Sequence, residues 1–229
     1  MVRITVQGKK EANAATKICE SLFKKGYDIP LCADMHFQPA VSLLVTDTVE
    51  KIRINPGNFA DGQKDFDEHI YETEEDFIGE REVYKEAFLP LVEKCKRLNR
   101  AMCMGTNHGS LSSRILSFYG DTPRGMVESA VEFADICRSE EYHNFLFSMK
   151  ASNPLVMVQG YRLLAAEMDR LGWDYPIHLG VTEAGDGEDG RMKSAIGIGT
   201  LLADGVGDTV RVSLEPPHLY FDARDCAVR

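Results

Sequence analysis

Residues 144–154 read NFLFSMKASNP, and the order of residue types in this stretch decides the fold class. An apolar run of strand length ends in Lys150, and Ser152 and Asn153, which are typical helix N-caps, follow it. An amphipathic helical pattern then begins. A strand that passes directly into a helix is the unit from which parallel sheets are built.

The same alternation runs through the whole chain. Short apolar runs that predict strands are Val2–Gln7, Ile29–Asp34, Lys51–Asn55, Ala101–Thr106, Asn144–Met149, Ile177–Thr182 and Thr209–Leu214. Runs that are apolar throughout favour parallel strands covered on both faces. Seven strands fit an open doubly wound sheet, whereas a complete (β/α)8 barrel needs eight. The length and the opening strand favour the barrel, so we predict an α/β chain with a (β/α)8 TIM-type barrel that lacks its first β/α unit.

Composition excludes several classes of protein. The 229 residues carry 26 Lys and Arg against 36 Asp and Glu, for a net charge of −10, and 44% are hydrophobic. This composition excludes a disordered chain and argues against a general nucleic-acid or anionic-membrane binder. No apolar run is long enough to span a membrane. We interpret the acidic segment 59–79 as a solvated insertion.

The six cysteines form no C-x-x-C pair. Their sparse placement indicates a reducing compartment and supplies no self-contained zinc or iron–sulfur ligand set. Residues 185–190 match G-x-G-x-x-G, but their carboxylates would repel a pyrophosphate. We therefore interpret that segment as a βα loop.

Polar residues stand within or just after the apolar strands, most of them toward the carboxyl end, where βα-barrel active sites form. Four are cations on different strands, namely Arg3, Arg53, Lys150 and Arg211. Their convergence in an acidic protein predicts a pocket for a small, highly anionic ligand, because guanidinium groups match phosphate oxygens. Asn55, Asn107 and Ser213 are candidates for neutral hydrogen bonds to that ligand, and Glu183 is the candidate acid or base.

Six motifs in this order resemble a known family: ADMHF, KIRINPGN, GTNHGSLS, FSMKASNP, HLGVTEAG with GRMKSAIGIGTLL, and GDTVRVSL. Together they are similar to the 4-hydroxy-3-methylbut-2-enyl diphosphate synthases of the non-mevalonate isoprenoid pathway, over residues 2–214. The acidic stretch and TPRGMVES resemble the larger form found in plastids and some bacteria.

The resemblance implies an oxidoreductase that opens the ring of 2-C-methyl-D-erythritol 2,4-cyclodiphosphate and eliminates water. It implies a [4Fe–4S] cluster held in a separate domain, ferredoxin or flavodoxin as electron donor, and a homodimer. The implied location is the plastid stroma for a nucleus-encoded protein and otherwise the bacterial cytoplasm. Glu183 is implied as the essential acid/base, and the implied substrate contacts are Arg3, Asp34, His36, Arg53, Asn55, Asn107, Lys150, Arg211 and Ser213.

The chain departs from the family pattern in three places. We expect residues 1–214 to be a barrel domain without its first strand, and residues 215–229 to be a divergent tail with no cluster domain. The pattern also has an arginine where Cys103 stands. We expect the isolated chain to be inactive. The alternatives are a non-catalytic module that binds a phosphate ligand and a pseudoenzyme with an interaction role.

Overall fold

A computed structural model describes residues 1–35, 38–61 and 74–212, with side chains from residue 78 in the last range. Within these residues the seven strands are β1 Val2–Val6, β2 Leu31–Met35, β3 Lys51–Ile54, β4 Ala101–Asn107, β5 Phe145–Lys150, β6 His178–Leu179 and β7 Thr209–Val210. The eight described helices are α1 Lys9–Lys24, α2 Pro39–Val45, α3 Pro56–Asp61, α4 Glu74–Leu98, α5 Ser113–Tyr119, α6 Pro123–Ser139, α7 Pro154–Leu171 and α8 Gly187–Ala203. A 3-10 turn, His108–Ser110, follows β4.

The strands are parallel and follow chain order in a five-stranded and a two-stranded sheet. β1 to β5 pair in sequence, and β6 pairs with β7. A bridge between Phe147 and Ile177 joins β5 to β6. A doubly wound sheet reverses its strand order at a switch point, whereas this order never reverses, as in a (β/α)8 barrel.

The structure confirms the seven strands and changes the extent of some. β6 and β7 have only two residues each, and the Arg211 amide just after β7 still donates to the Leu179 carbonyl of β6 at 2.9 Å. The prediction of a solvated insertion over residues 59–79 is wrong for its first residue. Phe59 is buried and packs edge-on against Phe88 and Phe133. Residues 62–73 of that segment lie outside the described residues.

The hydrophobic core lies between the sheet and the helices. Among its most buried side chains are Phe147 and Met149 of β5, Tyr161 of α7 and Phe88 of α4. Asn153 caps α7 by accepting a hydrogen bond from the Leu155 amide at 2.9 Å, as its position predicts. Among the described helices, none combines the length and the hydropathy needed to cross a membrane.

A buried ionic cluster ties α4, α5 and α6 together outside the sheet. The Arg114 guanidinium pairs with the Glu132 carboxylate. The Tyr84 hydroxyl donates to Glu132 Oε2 at 2.9 Å, and the Tyr84 ring stacks on Phe133 with centroids 5.0 Å apart. Because Arg114 is 2% exposed, its charge depends on Glu132 for compensation.

We therefore expect Glu132→Ala to lower the free energy of unfolding by about 3–5 kcal/mol, the cost of removing a carboxylate that pairs with a buried charge. Urea denaturation at pH 7 measures this loss. Asp47→Ala is the control, since Asp47 pairs with Lys94 at 2.7 Å on the surface. Equal effects of the two variants would contradict the prediction.

Candidate functional site

The side chains that point inward from the strands enclose a cavity of about 560 Å³. Barrel interiors are usually packed with branched apolar residues, whereas this cavity is polar and cationic. Its lining residues are Met1, Arg3, Thr5, Cys32, Asp34, Lys51, Arg53, Cys103, His178, Thr209, Val210 and Arg211. Three of the four predicted cations therefore meet in one cavity. Lys150 is not among the lining residues but lies close enough to interact electrostatically with all three.

Asp34 is the carboxylate that holds two of these cations. Its Oδ2 accepts hydrogen bonds from Arg3 Nε at 2.8 Å and from Arg3 Nη2, while its Oδ1 accepts one from Arg53 Nη1 at 2.9 Å. Burial alone would raise the pKa of Asp34, but Arg53 and Arg3 outweigh burial and hold the pKa below its usual value. The site therefore keeps Asp34 ionised, with both of its oxygens bound to arginines.

Arg53 is fixed by its neighbours on β4 as well. Its Nη2 donates to the Gly105 carbonyl at 2.6 Å and to Asn107 Oδ1 at 3.2 Å. This position of the Arg53 side chain requires a glycine at residue 105, because a Cβ there would lie 2.1 Å from Arg53 Nε. Arg53 is 4% exposed, so its guanidinium forms a rigid cationic wall of the cavity.

Lys150 and Arg211 differ from the two clamped arginines. Within the described part of the chain, neither side chain forms a hydrogen bond or an ion pair with a carboxylate. Burial, followed by Arg3 and Arg211, lowers the pKa of Lys150 to about 7. Burial, followed by Arg3, also lowers the pKa of Arg211. Lys150 is therefore a buried group with no carboxylate partner among the described residues, whereas Arg211 is exposed and Asp34 acts on it electrostatically.

Lys51 and His178 both line the cavity, although neither was predicted from the sequence as a site residue. Lys51 precedes Arg53 by two residues, so strand alternation places both on one face and was the available signal. His178 Nδ1 lies 2.7 Å from Thr209 Oγ1. Burial is the main cause that lowers the pKa of His178 to about 3, and the charges of Lys150 and Lys51 add to it. The imidazole is therefore neutral.

The predicted amides lie at the carboxyl ends of β3 and β4. Asn55 is 1% exposed, and its Nδ2 donates to Ser110 Oγ at 2.7 Å. Asn55 Oδ1 is buried without a hydrogen-bond partner in the described structure. Asn107 accepts from Arg53, as described above. Neither asparagine lines the cavity, so both support the loops and side chains around it.

Glu183 lies in the loop between β6 and α8. It is exposed and has a left-handed backbone with φ of 49°, which is uncommon for a residue with a side chain. The structure does not bring it into the cavity lining. The other two predicted site residues, His36 and Ser213, lie outside the described residues.

The described residues do not fit the iron–sulfur cluster that the resemblance implies. Cys19, Cys32, Cys95, Cys103 and Cys137 are all free thiols. Among the described residues, no three His, Cys, Asp or Glu side chains come together as metal ligands. Burial raises the pKa of Cys32 to about 11, which disfavours the thiolate that such clusters need.

Comparison with known proteins places the chain among barrel domains. A profile of the GcpE TIM-barrel domain matches residues 1–221. The chloroplastic 4-hydroxy-3-methylbut-2-en-1-yl diphosphate synthase (ferredoxin) of Oryza sativa subsp. japonica is 66% identical over 222 residues, which are 96% of this chain and 30% of the relative. The synthase (flavodoxin) of Protochlamydia amoebophila is 64% identical over 93% of this chain and 33% of the relative.

The chain therefore spans about a third of the length of these relatives. Among solved structures, the apo form of the E. coli 3-keto-D-glucoside 4-epimerase YcjR covers 93% of this chain at 11% identity, with a TM-score of 0.49. That likeness is too distant to add to the argument. The family profile confirms the predicted TIM-type barrel.

The low pKa of Lys150 leads to a prediction about stability. The folded state keeps Lys150 neutral above about pH 7, whereas the unfolded chain holds the proton up to about pH 10.5. Lysine at this position therefore costs stability in full below about pH 7, and the cost falls as the pH rises from about 7 to 10.5. We expect Lys150→Met to raise the free energy of unfolding at pH 7 on the order of 3 kcal/mol, and the gain to vanish toward pH 10.5.

Urea denaturation at pH 7, 8.5 and 10 measures this gain. Lys85→Met is the control, because Lys85 lies on the surface of α4 and pairs with Glu82 at 3.3 Å. A gain that did not depend on pH would show that hydrophobic packing, and not the charge of Lys150, is responsible.

Proposed function

The chain belongs to the GcpE TIM-barrel family, and we propose that its barrel binds the cyclic diphosphate substrate of a 4-hydroxy-3-methylbut-2-en-1-yl diphosphate synthase. The substrate is 2-C-methyl-D-erythritol 2,4-cyclodiphosphate. The reaction is its reductive ring opening with loss of water, and this barrel supplies the substrate-binding part.

The observation that carries the proposal is the cavity lined by cations. Arg3 and Arg53 are held in place by Asp34, while Arg211 and the adjacent Lys150 have no carboxylate partner among the described residues. A diphosphate carries the negative charge that this arrangement lacks, and guanidinium groups bind its oxygens in a fixed geometry. Fixing the ligand in one orientation is itself a large catalytic contribution.

We assign a different role to each group. Arg53 and Arg3 fix the diphosphate end, and Arg211 and Lys150 complete its charge. Asp34 acts as a positioning residue for both clamped arginines. Glu183, in the exposed loop after β6, moves the proton that accompanies loss of water.

Electrons for the reduction come from outside the described residues. We propose a [4Fe–4S] cluster carried elsewhere in the complete enzyme, with ferredoxin or flavodoxin as donor, as the names of the relatives suggest. We also propose a homodimer. The chloroplastic and bacterial relatives support a location in the plastid stroma or the bacterial cytoplasm.

Binding to this chain is the first test. We expect Arg211→Ala to weaken cyclodiphosphate binding in calorimetry by about 1.5–3 kcal/mol, the contribution of a hydrogen bond to a charged group. Arg170→Ala is the control, because Arg170 is exposed and pairs with Glu167 on α7. An unchanged affinity would remove Arg211 from the site, and a wild-type chain that binds no cyclodiphosphate would refute the proposed function.

Turnover is the second test, and it uses a chimera in which this chain replaces the matching part of the rice relative. We expect Glu183→Gln in the chimera to retain cyclodiphosphate affinity while kcat with reduced ferredoxin falls by about 10²–10⁴, because a general acid or base is lost. Glu188→Gln, at the exposed start of α8, should leave kcat unchanged. Near-normal turnover of the Glu183 variant would exclude the proton-transfer role.

A further inference from the structure

Lys150 lies beside the cavity, and no carboxylate among the described residues pairs with it. It ends β5 and is 4% exposed, so its amine is largely withdrawn from water. Gly180 passes beside it, and a Cβ at Gly180 would lie 3.3 Å from Lys150 Cε and 3.7 Å from Nζ. The amine is therefore confined between β5 and the segment that follows β6.

The groups that act electrostatically on Lys150 come from several strands, and they are cations or neutral groups. β1 contributes Arg3, β3 contributes Arg53, β4 contributes the Cys103 thiol and β6 contributes His178, while Arg211 directly follows β7. Asp34 of β2 is the only carboxylate among the described residues that line the cavity. Both of its oxygens already accept from Arg3 and Arg53.

An ammonium group in this position is disfavoured twice. Burial removes its hydration, and three guanidinium groups repel it. The arginines cannot respond by losing a proton near neutral pH, since the guanidinium remains charged in proteins. The lysine amine is the group that can, and the lowered pKa described above agrees with this reasoning.

An anionic ligand reverses the balance. A diphosphate between Arg53 and Arg211 supplies the negative charge that Asp34 cannot, and it favours an ammonium over an amine at the same place. We propose that Lys150 is a neutral amine in the empty site and takes a proton from solvent when a dianionic ligand binds, so that ligand charge is recognised through proton uptake. This inference rests on the proposed function only for the identity of the natural ligand.

The step is balanced. The lone pair of Lys150 Nζ forms a new N–H bond with a proton released by a buffer acid, and no other bond changes. The consequence is specificity for charge, because a neutral or singly charged analogue cannot drive the protonation and binds to a site with one cation fewer. A site of four permanently charged cations would instead attract any anion, and the cations would repel one another when the site is empty.

Calorimetry in buffers of different ionisation enthalpy counts the protons taken up per ligand. Two probes are used, 2-C-methyl-D-erythritol 2,4-cyclodiphosphate and inorganic sulfate, since neither changes its charge between pH 6 and pH 9. For the wild-type chain we expect uptake near zero at pH 6 and close to one proton at pH 8.5, with affinity falling up to about tenfold per pH unit above 7. Lys150→Arg carries a permanent charge, so it should bind without uptake and with a flat pH dependence.

The matched control is Lys85→Arg, the same change at an exposed position of α4, which should show the wild-type uptake. A measurement on the wild-type chain alone keeps the test independent of how the Lys150 variant folds. The ¹³Cε resonance of Lys150 should titrate near neutral pH in the free protein and stay in the ammonium position up to pH 9 with ligand bound.

The outcomes separate the two proposals. Cyclodiphosphate binding without proton uptake at pH 8.5, or an ammonium resonance in the free protein at pH 9, would overturn the role of Lys150 and leave the proposed function standing. Sulfate binding with Lys150-dependent uptake but no cyclodiphosphate binding would refute the proposed function and support the role of Lys150.

Discussion

The bonds from Asp34 to Arg3 and Arg53 are the constraint on which the rest of the site depends. One carboxylate holds two guanidinium groups from neighbouring strands, and its own ionisation is secured by them. Two clamped arginines then set a positive potential for every other group in the cavity. Desolvation and that field lower the pKa values of buried Lys150, half-buried His178 and also Arg211, which is exposed.

Because the barrel interior is charged, it contributes little hydrophobic stabilisation to the fold. Because the interior holds few apolar side chains, hydrophobic burial has to come from the layer between the sheet and the helices, where Phe88, Phe147 and Tyr161 are fully buried. The ionic cluster of Arg114, Glu132 and Tyr84 lies in this outer region and connects three helices. The structure thus separates a stabilising outer shell from an interior that is unfavourable until a ligand occupies it, which is the usual relation between stability and function at a binding site.

The sequence alone predicted the strands and the convergence of cations, because both follow from short-range rules. A strand that is apolar throughout is buried on both faces, and a charge at its end is costly unless it is used. It did not predict the pairing of Asp34 with two arginines, since register between strands decides which side chains meet. Lys51 was missed because a lysine at the start of a strand is typical of a surface residue. β6 and β7 are shorter than predicted, since periodicity does not determine where backbone pairing between strands ends.

Phe59 also shows that burial cannot be predicted from local composition alone. Local composition around it is acidic, but tertiary packing against Phe88 and Phe133 outweighs that context. Inside the barrel, two glycines leave space for cationic side chains, which composition does not predict. Gly105 leaves the space across which Arg53 reaches Asp34, and Gly180 leaves the space for the Lys150 chain. Long cationic side chains need such gaps in adjacent strands to lie across a barrel, so the absence of a Cβ at these two positions is as much a part of the anion site as the charges themselves.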